Sequence, residues 1–161
     1  MFGTAAAGIK VVSKAWEDWI KETHEKLKRR KDTNAKCTLF VDTWIQDNFK
    51  TQGVKAIGGS GWAPLSQLTI NLRIKGKKEA SPRILEDRGW LKNRWKKFYT
   101  DEEAYIESGV DYAWKHELGD PNNTWNGNPA PVPARKILPL KEQVWEGIQK
   151  IYKLFLGKVL K

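Results

Sequence analysis

A chain of 161 residues with 40% hydrophobic and 30% charged side chains has room for one hydrophobic core and none for a second domain. Its 29 Lys plus Arg against 19 Asp plus Glu leave a formal charge of +10, a mixture too balanced for a disordered tail yet basic enough to favour polyanionic surroundings, either nucleic acid or an acidic protein surface.

In chain order, Ile9, Val12, Trp16, Trp19, Ile20 and Leu27 recur at three- and four-residue steps between charged residues, which predicts an amphipathic helix over residues 5–30. It ends in Lys28-Arg29-Arg30-Lys31, where positive charge suits the helix dipole, and Asp32-Thr33-Asn34 supplies capping types for the next helix. That second helix carries Cys37, Phe40, Val41, Trp44, Ile45 and Phe49 on one stripe, and the short polar link suggests an antiparallel or crossed pair. Residues 52–61 hold too many glycines for a stable element and read as a flexible loop. A short helix is expected from Pro64, with Leu65, Leu68, Ile70 and Leu72 as its apolar contacts, followed by a lysine-rich loop near residues 75–82.

Residues 91–99 and 103–108 read as the strands of a hairpin around Thr100-Asp101-Glu102, with Lys92, Arg94, Lys96 and Lys97 expected to face Glu102, Glu103 and Glu107 across it. A short helix over residues 110–118 ends at Gly119, and residues 120–133, rich in Pro, Asn and Gly, form a surface excursion. Val144, Ile148, Ile151, Tyr152, Phe155, Leu156 and Val159 trace a last long amphipathic helix. The expected class is α+β: long N- and C-terminal amphipathic helices packed on a small antiparallel sheet, in a single domain over residues 1–161.

Net charge changes sign along the chain, at +4, +7, −6 and +5 for residues 1–72, 73–100, 101–120 and 121–161. Such segments either pair within the hairpin or meet between neighbouring subunits as head-to-tail contacts. Nine Trp, four Tyr and five Phe offer more ring surface than one core needs, so part of it is expected to face another molecule or subunit.

Catalytic chemistry finds little support. Cys37 is a lone cysteine, which excludes an internal disulfide, and with only His24 and His116 beside it a structural zinc site is not expected. No other cofactor is implied. Gly58-Gly59-Ser60-Gly61 lacks the Lys-Ser or Lys-Thr of a phosphate cradle, and Ser60 fails the nucleophile-elbow pattern because Trp62, not glycine, stands two residues later. His24 has no second histidine at metal-binding spacing, and Glu86-Asp87 suit a turn before Gly89 better than paired acid-base work. The apolar start of the chain is broken by Lys10, and no window approaches the roughly 18 apolar residues of a membrane span, so a chain of cytosolic origin, neither secreted nor inserted in a membrane, is expected. The best local case for nucleic-acid contact is the basic stretch from Arg88 to Tyr99, where Trp90 and Trp95 alternate with Arg94 and Lys97.

Four blocks in order decide between these options: Trp62-Ala63-Pro64-Leu65-Ser66-Gln67-Leu68-Thr69, Ile84-Leu85-Glu86-Asp87-Arg88-Gly89-Trp90-Leu91, Tyr112-Ala113-Trp114-Lys115-His116-Glu117-Leu118-Gly119 and Pro133-Ala134-Arg135-Lys136-Ile137-Leu138. Together they resemble the tailed-phage virion morphogenesis family, also described as tail completion proteins. Two departures stand out: Asp87-Arg88-Gly89 where that family usually has Asp-Thr-Gly, and a long segment at residues 120–131 where it has a short one. The resemblance implies a structural protein of the head-tail connection, without catalytic residues, in a ring of six copies or of twelve beside head-completion, neck and tail proteins. Trp62, Pro64, Trp90, Tyr112, His116 and Arg135 are then the candidates for subunit or partner contact, and Lys75, Lys77, Lys78, Arg94 and Lys97 those for contact with DNA or an acidic surface.

Overall fold

The structure, a computed structural model, describes residues 14–76 and 83–160. Its first helix, α1 (Lys14–Lys28), runs into α2 (Lys31–Lys50) through Arg29 and Arg30 alone, so the two make one long bent helix rather than the antiparallel or crossed pair expected. A distant residue holds the bend. Asp101 Oδ1 accepts the Lys31 N–H at 2.8 Å, and the Asp101 carbonyl accepts Arg30 Nε at 3.1 Å. The expected local cap is therefore replaced by a tertiary one. Asn34, freed from capping, is buried and donates Nδ2 to Thr100 O (2.8 Å) while Oδ1 accepts the Tyr152 hydroxyl (2.6 Å).

The stripe expected on α2 is real, with Cys37, Trp44, Ile45 and Phe49 all buried. Between them Asn48 is fully buried yet satisfied: Nδ2 donates to Lys136 O (2.9 Å) and Ile137 O (3.2 Å), and Oδ1 accepts the Ala56 N–H (3.1 Å). The glycine-rich segment is not a plain loop, since it winds a one-turn helix, α3 (Val54–Ile57), and closes onto the core. Gly53 has φ +90, and a Cβ there would fall inside the Trp62 indole. Trp62 itself is buried edge-on to Phe49 at 5.3 Å and donates Nε1 to Lys136 O at 2.9 Å. Glycine is thus required at this contact for both space and backbone conformation.

The next helix, α4 (Gln67–Gly76), begins three residues after Pro64; Ser66 Oγ accepts the Thr69 N–H (3.2 Å) and starts it. Leu68 and Leu72, expected to make apolar contacts, are exposed. Gly89, at φ +73, turns the chain into α5 (Trp90–Asn93), which takes the first part of the segment expected to be strand. The hairpin proper is β1 (Trp95–Tyr99) paired antiparallel with β2 (Ala104–Ser108), with Lys97 opposite Ile106. Its expected charge ladder is largely corrected. Lys96 meets Glu107 (3.8 Å), but Lys97 reaches Asp42 on α2 (2.7 Å), Lys92 reaches Glu86 (3.4 Å) and Arg94 lies over the Trp90 ring (4.4 Å). Lys97 stands opposite Ile106, and the groups that take Lys92, Arg94 and Lys97 lie outside the facing strand.

Helix α6 (Ala113–Leu118) ends at Gly119, as expected. The excursion after it is a second small hairpin, β3 (Thr124–Trp125) with β4 (Asn128–Pro129), turning through Asn126 (φ 51) and Gly127 (φ 77) and closed at its base by Asp120 and Val132. The last helix, α7 (Lys141–Val159), is started by Gln143, whose Oε1 accepts the Leu140 N–H at 2.8 Å while Nε2 donates to Ala56 O at 2.9 Å. The result is the mixed α+β class: α2 lies between the β1–β2 hairpin and α7, and the buried cluster joins Trp44, Ile45, Phe49, Trp62, Leu91, Val110, Ile137 and Val144.

Candidate functional site

Away from that core a groove of about 990 Å³ opens between α4, the turn before α5, α6 and the β3–β4 hairpin. Leu68 and Leu72 of α4 form one wall, Trp125 and the prolines of the small hairpin another, and Trp90 and Tyr112 stand between. Leu68, Leu72, Trp90, Tyr112 and Trp125 are all exposed, so the lining is apolar and open to solvent.

Arg135 belongs to the same lining although it is only 5% exposed. Its Nε donates to Ala63 O at 3.2 Å and Nη2 to Pro64 O at 3.5 Å, so the guanidinium ties the start of α4 to the segment before α7. Burial, and then the nearby charge of Arg73, holds it below its ordinary pKa. The Arg135 N–H donates to His116 O at 2.6 Å, which joins the two segments. Burial first and Arg135 second lower the His116 pKa to about 4, so the ring is neutral at pH 7. Its Nδ1 is buried without a hydrogen-bond partner among the described residues, and Tyr112 meets it edge-on at 5.9 Å.

The segment carrying Arg135 is fixed from behind by Asn48 and Trp62 through Lys136 O, and by Glu117 Oε2, which accepts the N–H groups of Ile137 (2.6 Å) and Leu138 (3.1 Å). The charged residues of the lining are Arg73, Arg88, Arg135 and Asp87, and Arg73 pairs with Asp87 at 3.7 Å. Positive charge is therefore in excess. The groove is thus an apolar concavity with basic residues in its lining. Ser66, the serine of the lining, shares its hydroxyl with Thr69 at 2.9 Å.

Residues 11–156, nearly the whole chain, match the phage virion morphogenesis family. The chain belongs to that family. It is accordingly a protein of phage virion assembly. Comparison with curated proteins gives no match, and neither does comparison with solved structures. Among the described residues, no helix of this family member is long and apolar enough to cross a membrane, and no group of three or more His, Cys, Asp or Glu is placed to hold a metal ion.

Of the six contact candidates in this virion morphogenesis protein, Pro64, Trp90, Tyr112, His116 and Arg135 all line the groove. Trp62 does not; it is a core residue behind it. The three basic candidates among the described residues are not brought together. Lys75 is exposed on the last turn of α4, Arg94 covers Trp90, Lys97 is paired with Asp42, and Lys77 and Lys78 lie outside the described residues. Sequence inspection missed the contribution of Leu72, Arg73 and Trp125. For Trp125 the signal was present: Asn126-Gly127 is the strongest short-range hairpin signature, and it aims the preceding tryptophan at the groove.

Proposed function

We propose that this protein is a non-enzymatic structural component of the head-tail connection, a neck or tail completion protein, that assembles as a homo-oligomeric ring through which DNA passes. Six copies are favoured over twelve. Its neighbours are the head-completion, neck and tail proteins of the virion.

The observation that carries this proposal is the amount of large apolar surface left exposed by a well-built core. Trp16 (54%), Trp19 (42%), Leu68 (64%), Trp125 (55%) and Leu154 (70%) are solvent-exposed in one copy, although Phe49 and Ile45 are fully buried. A chain that packs its core this closely exposes such surface where another subunit covers it. Membership in a virion assembly family supports the same conclusion, and the alternating segment charges supply two flanks of opposite sign.

A basic nucleic-acid-binding module built on Trp90, Arg94, Trp95 and Lys97 is the alternative. It has less support, because Arg94 and Arg88 lie over the Trp90 ring at 4.4 and 5.3 Å and Lys97 is held by Asp42, so the rings and charges are occupied within the chain. Contact with DNA in the ring is expected to be nonspecific and salt-sensitive.

Light scattering over a concentration series, with and without short duplex DNA, tests the proposal. A discrete assembly of six or twelve times 18.5 kDa without DNA is expected. A monomer that binds oligonucleotides with a steep salt dependence would replace it with the alternative.

A further inference from the structure

The basic residues of this chain are answered by carboxylates in one part of the molecule and left unanswered in another. Around the β1–β2 hairpin and α6, Lys92 pairs with Glu86, Lys97 with Asp42, Lys115 with Asp120 and Lys136 with Glu117. The balance differs where α7 meets the start of α2. There the Tyr152 hydroxyl donates to Asn34 Oδ1 at 2.6 Å and fixes the crossing of the two helices. Lys31 and Lys36 lie within three residues of Asn34, and Lys150 and Lys153 within two of Tyr152, so all four stand within about one helical turn of that bond. All four are exposed, and none makes an ion pair among the described residues.

Few carboxylates stand nearby. Asp32 is exposed on the first turn of α2, and Asp101 Oδ1 accepts the Lys31 backbone N–H, while the sequence holds no Asp or Glu after Glu146. Local structure does not call for these cations either. Lys31 stands at the positive end of α2, where a cation is unfavourable, and Lys150 and Lys153, three residues apart on α7, repel each other. A surface that keeps its cations against such costs suits an anion brought from outside.

We infer that this crossing is the face through which the protein touches duplex DNA, its lysines resting against backbone phosphates without reading sequence. The inference rests on the reading of a ring through which DNA passes and names the surface turned towards the passage. Release of counterions from the duplex drives such contacts. Two features favour a duplex over other polyanions. No aromatic side chain of residues 31–36 or 150–158 is exposed, since Tyr152 and Phe155 are half-buried, so unpaired bases find no platform to stack on. Lysine is depleted at the cores of protein interfaces, whereas a compact charge on a flexible stem can follow a phosphate backbone.

Two triple variants of equal net charge test it: Lys36→Ala with Lys150→Ala and Lys153→Ala at the crossing, and Lys14→Ala with Lys21→Ala and Lys75→Ala elsewhere, all six positions being exposed. Circular dichroism verifies the fold, light scattering reads the mass, and fluorescence anisotropy reads binding of a labelled short duplex over a salt series. The crossing variant is expected to assemble as the unaltered chain does, to bind the duplex at least about tenfold more weakly, and to show a slope of log K against log salt shallower by about 0.9 per lysine removed. The second variant is expected to stay within about twofold of the unaltered chain at about 0.15 M salt, where charges away from the contact are screened. Equal weakening of both variants would make net charge the cause and overturn the inference, as would an unaltered chain that binds no duplex at low salt. Loss of assembly in the crossing variant alone would assign these lysines to an acidic neighbouring subunit and overturn it while the ring stands. A monomeric unaltered chain whose duplex binding still needs the three lysines would remove the ring and keep the face.

Discussion

Helices α1 and α2 are neighbours in sequence, separated by two residues, and both carry rings and aliphatic side chains at helical spacing. Yet α2 buries Cys37, Trp44, Ile45, Asn48 and Phe49, whereas α1 buries only Thr23. The difference does not come from the pattern, since α1 is as clearly two-faced as α2. It comes from what stands opposite: α2 has the β1–β2 hairpin on one side and α7 on the other, and residues 14–22 are exposed throughout. Periodicity states that a face is to be covered and leaves open by whom.

Matched truncations break this comparison most directly. Phe49→Ala is expected to cost about 3–5 kcal/mol, because the ring is fully buried and its loss leaves a cavity beside Trp62. Trp19→Ala is expected to change the stability of the monomer by no more than about 0.5 kcal/mol. Urea unfolding of both variants at low protein concentration checks the pair, and a large cost for Trp19→Ala would show that α1 is covered within its own chain.

The groove stands between these extremes, half covered, and His116 reports on it. Its folded pKa of about 4 lies below the ordinary value of 6.5, so the unfolded chain binds the extra proton between those two values. The stability this group confers is complete above about pH 6.5 and is lost as pH falls towards about 4, on the order of 3 kcal/mol in all. His116→Gln is expected to flatten that part of the stability profile, measured by denaturation at closely spaced pH. A slope equal to that of the unaltered chain would mean that the imidazole is solvated.

A more local effect lies at the bend itself. Asp101→Ala removes the acceptor for the Lys31 N–H and is expected to cost about 1 kcal/mol, seen as faster amide exchange in the first turn of α2 with α1 unaffected. Exchange accelerating equally along α1 would show that the two helices melt as one unit.

Much of the fold was legible because it rests on local periodicity. The long helices, the β1–β2 hairpin and the stop at Gly119 follow from spacing and from glycine's backbone freedom. The bend was not legible, since its cap comes from Asp101, seventy residues away from Lys31 in sequence. Nor were the charge partners: Lys97 stands opposite Ile106 in its own hairpin and pairs with Asp42 on α2. For the site, the motif blocks pointed at Pro64, Trp90, Tyr112, His116 and Arg135 without showing that they converge, and at Trp62 without showing that it serves the core.

By itself the sequence determined the two-faced helices, the excess of aromatic surface, the basic charge and membership in the phage virion morphogenesis family, all of which are sums or local patterns over the chain. Tertiary structure decided which apolar faces are spent on the core and which remain outside. Burial depends on which distant segments arrive, as Lys136 and Ile137 arrive over Asn48 and as no described segment covers Trp19 and Ile20.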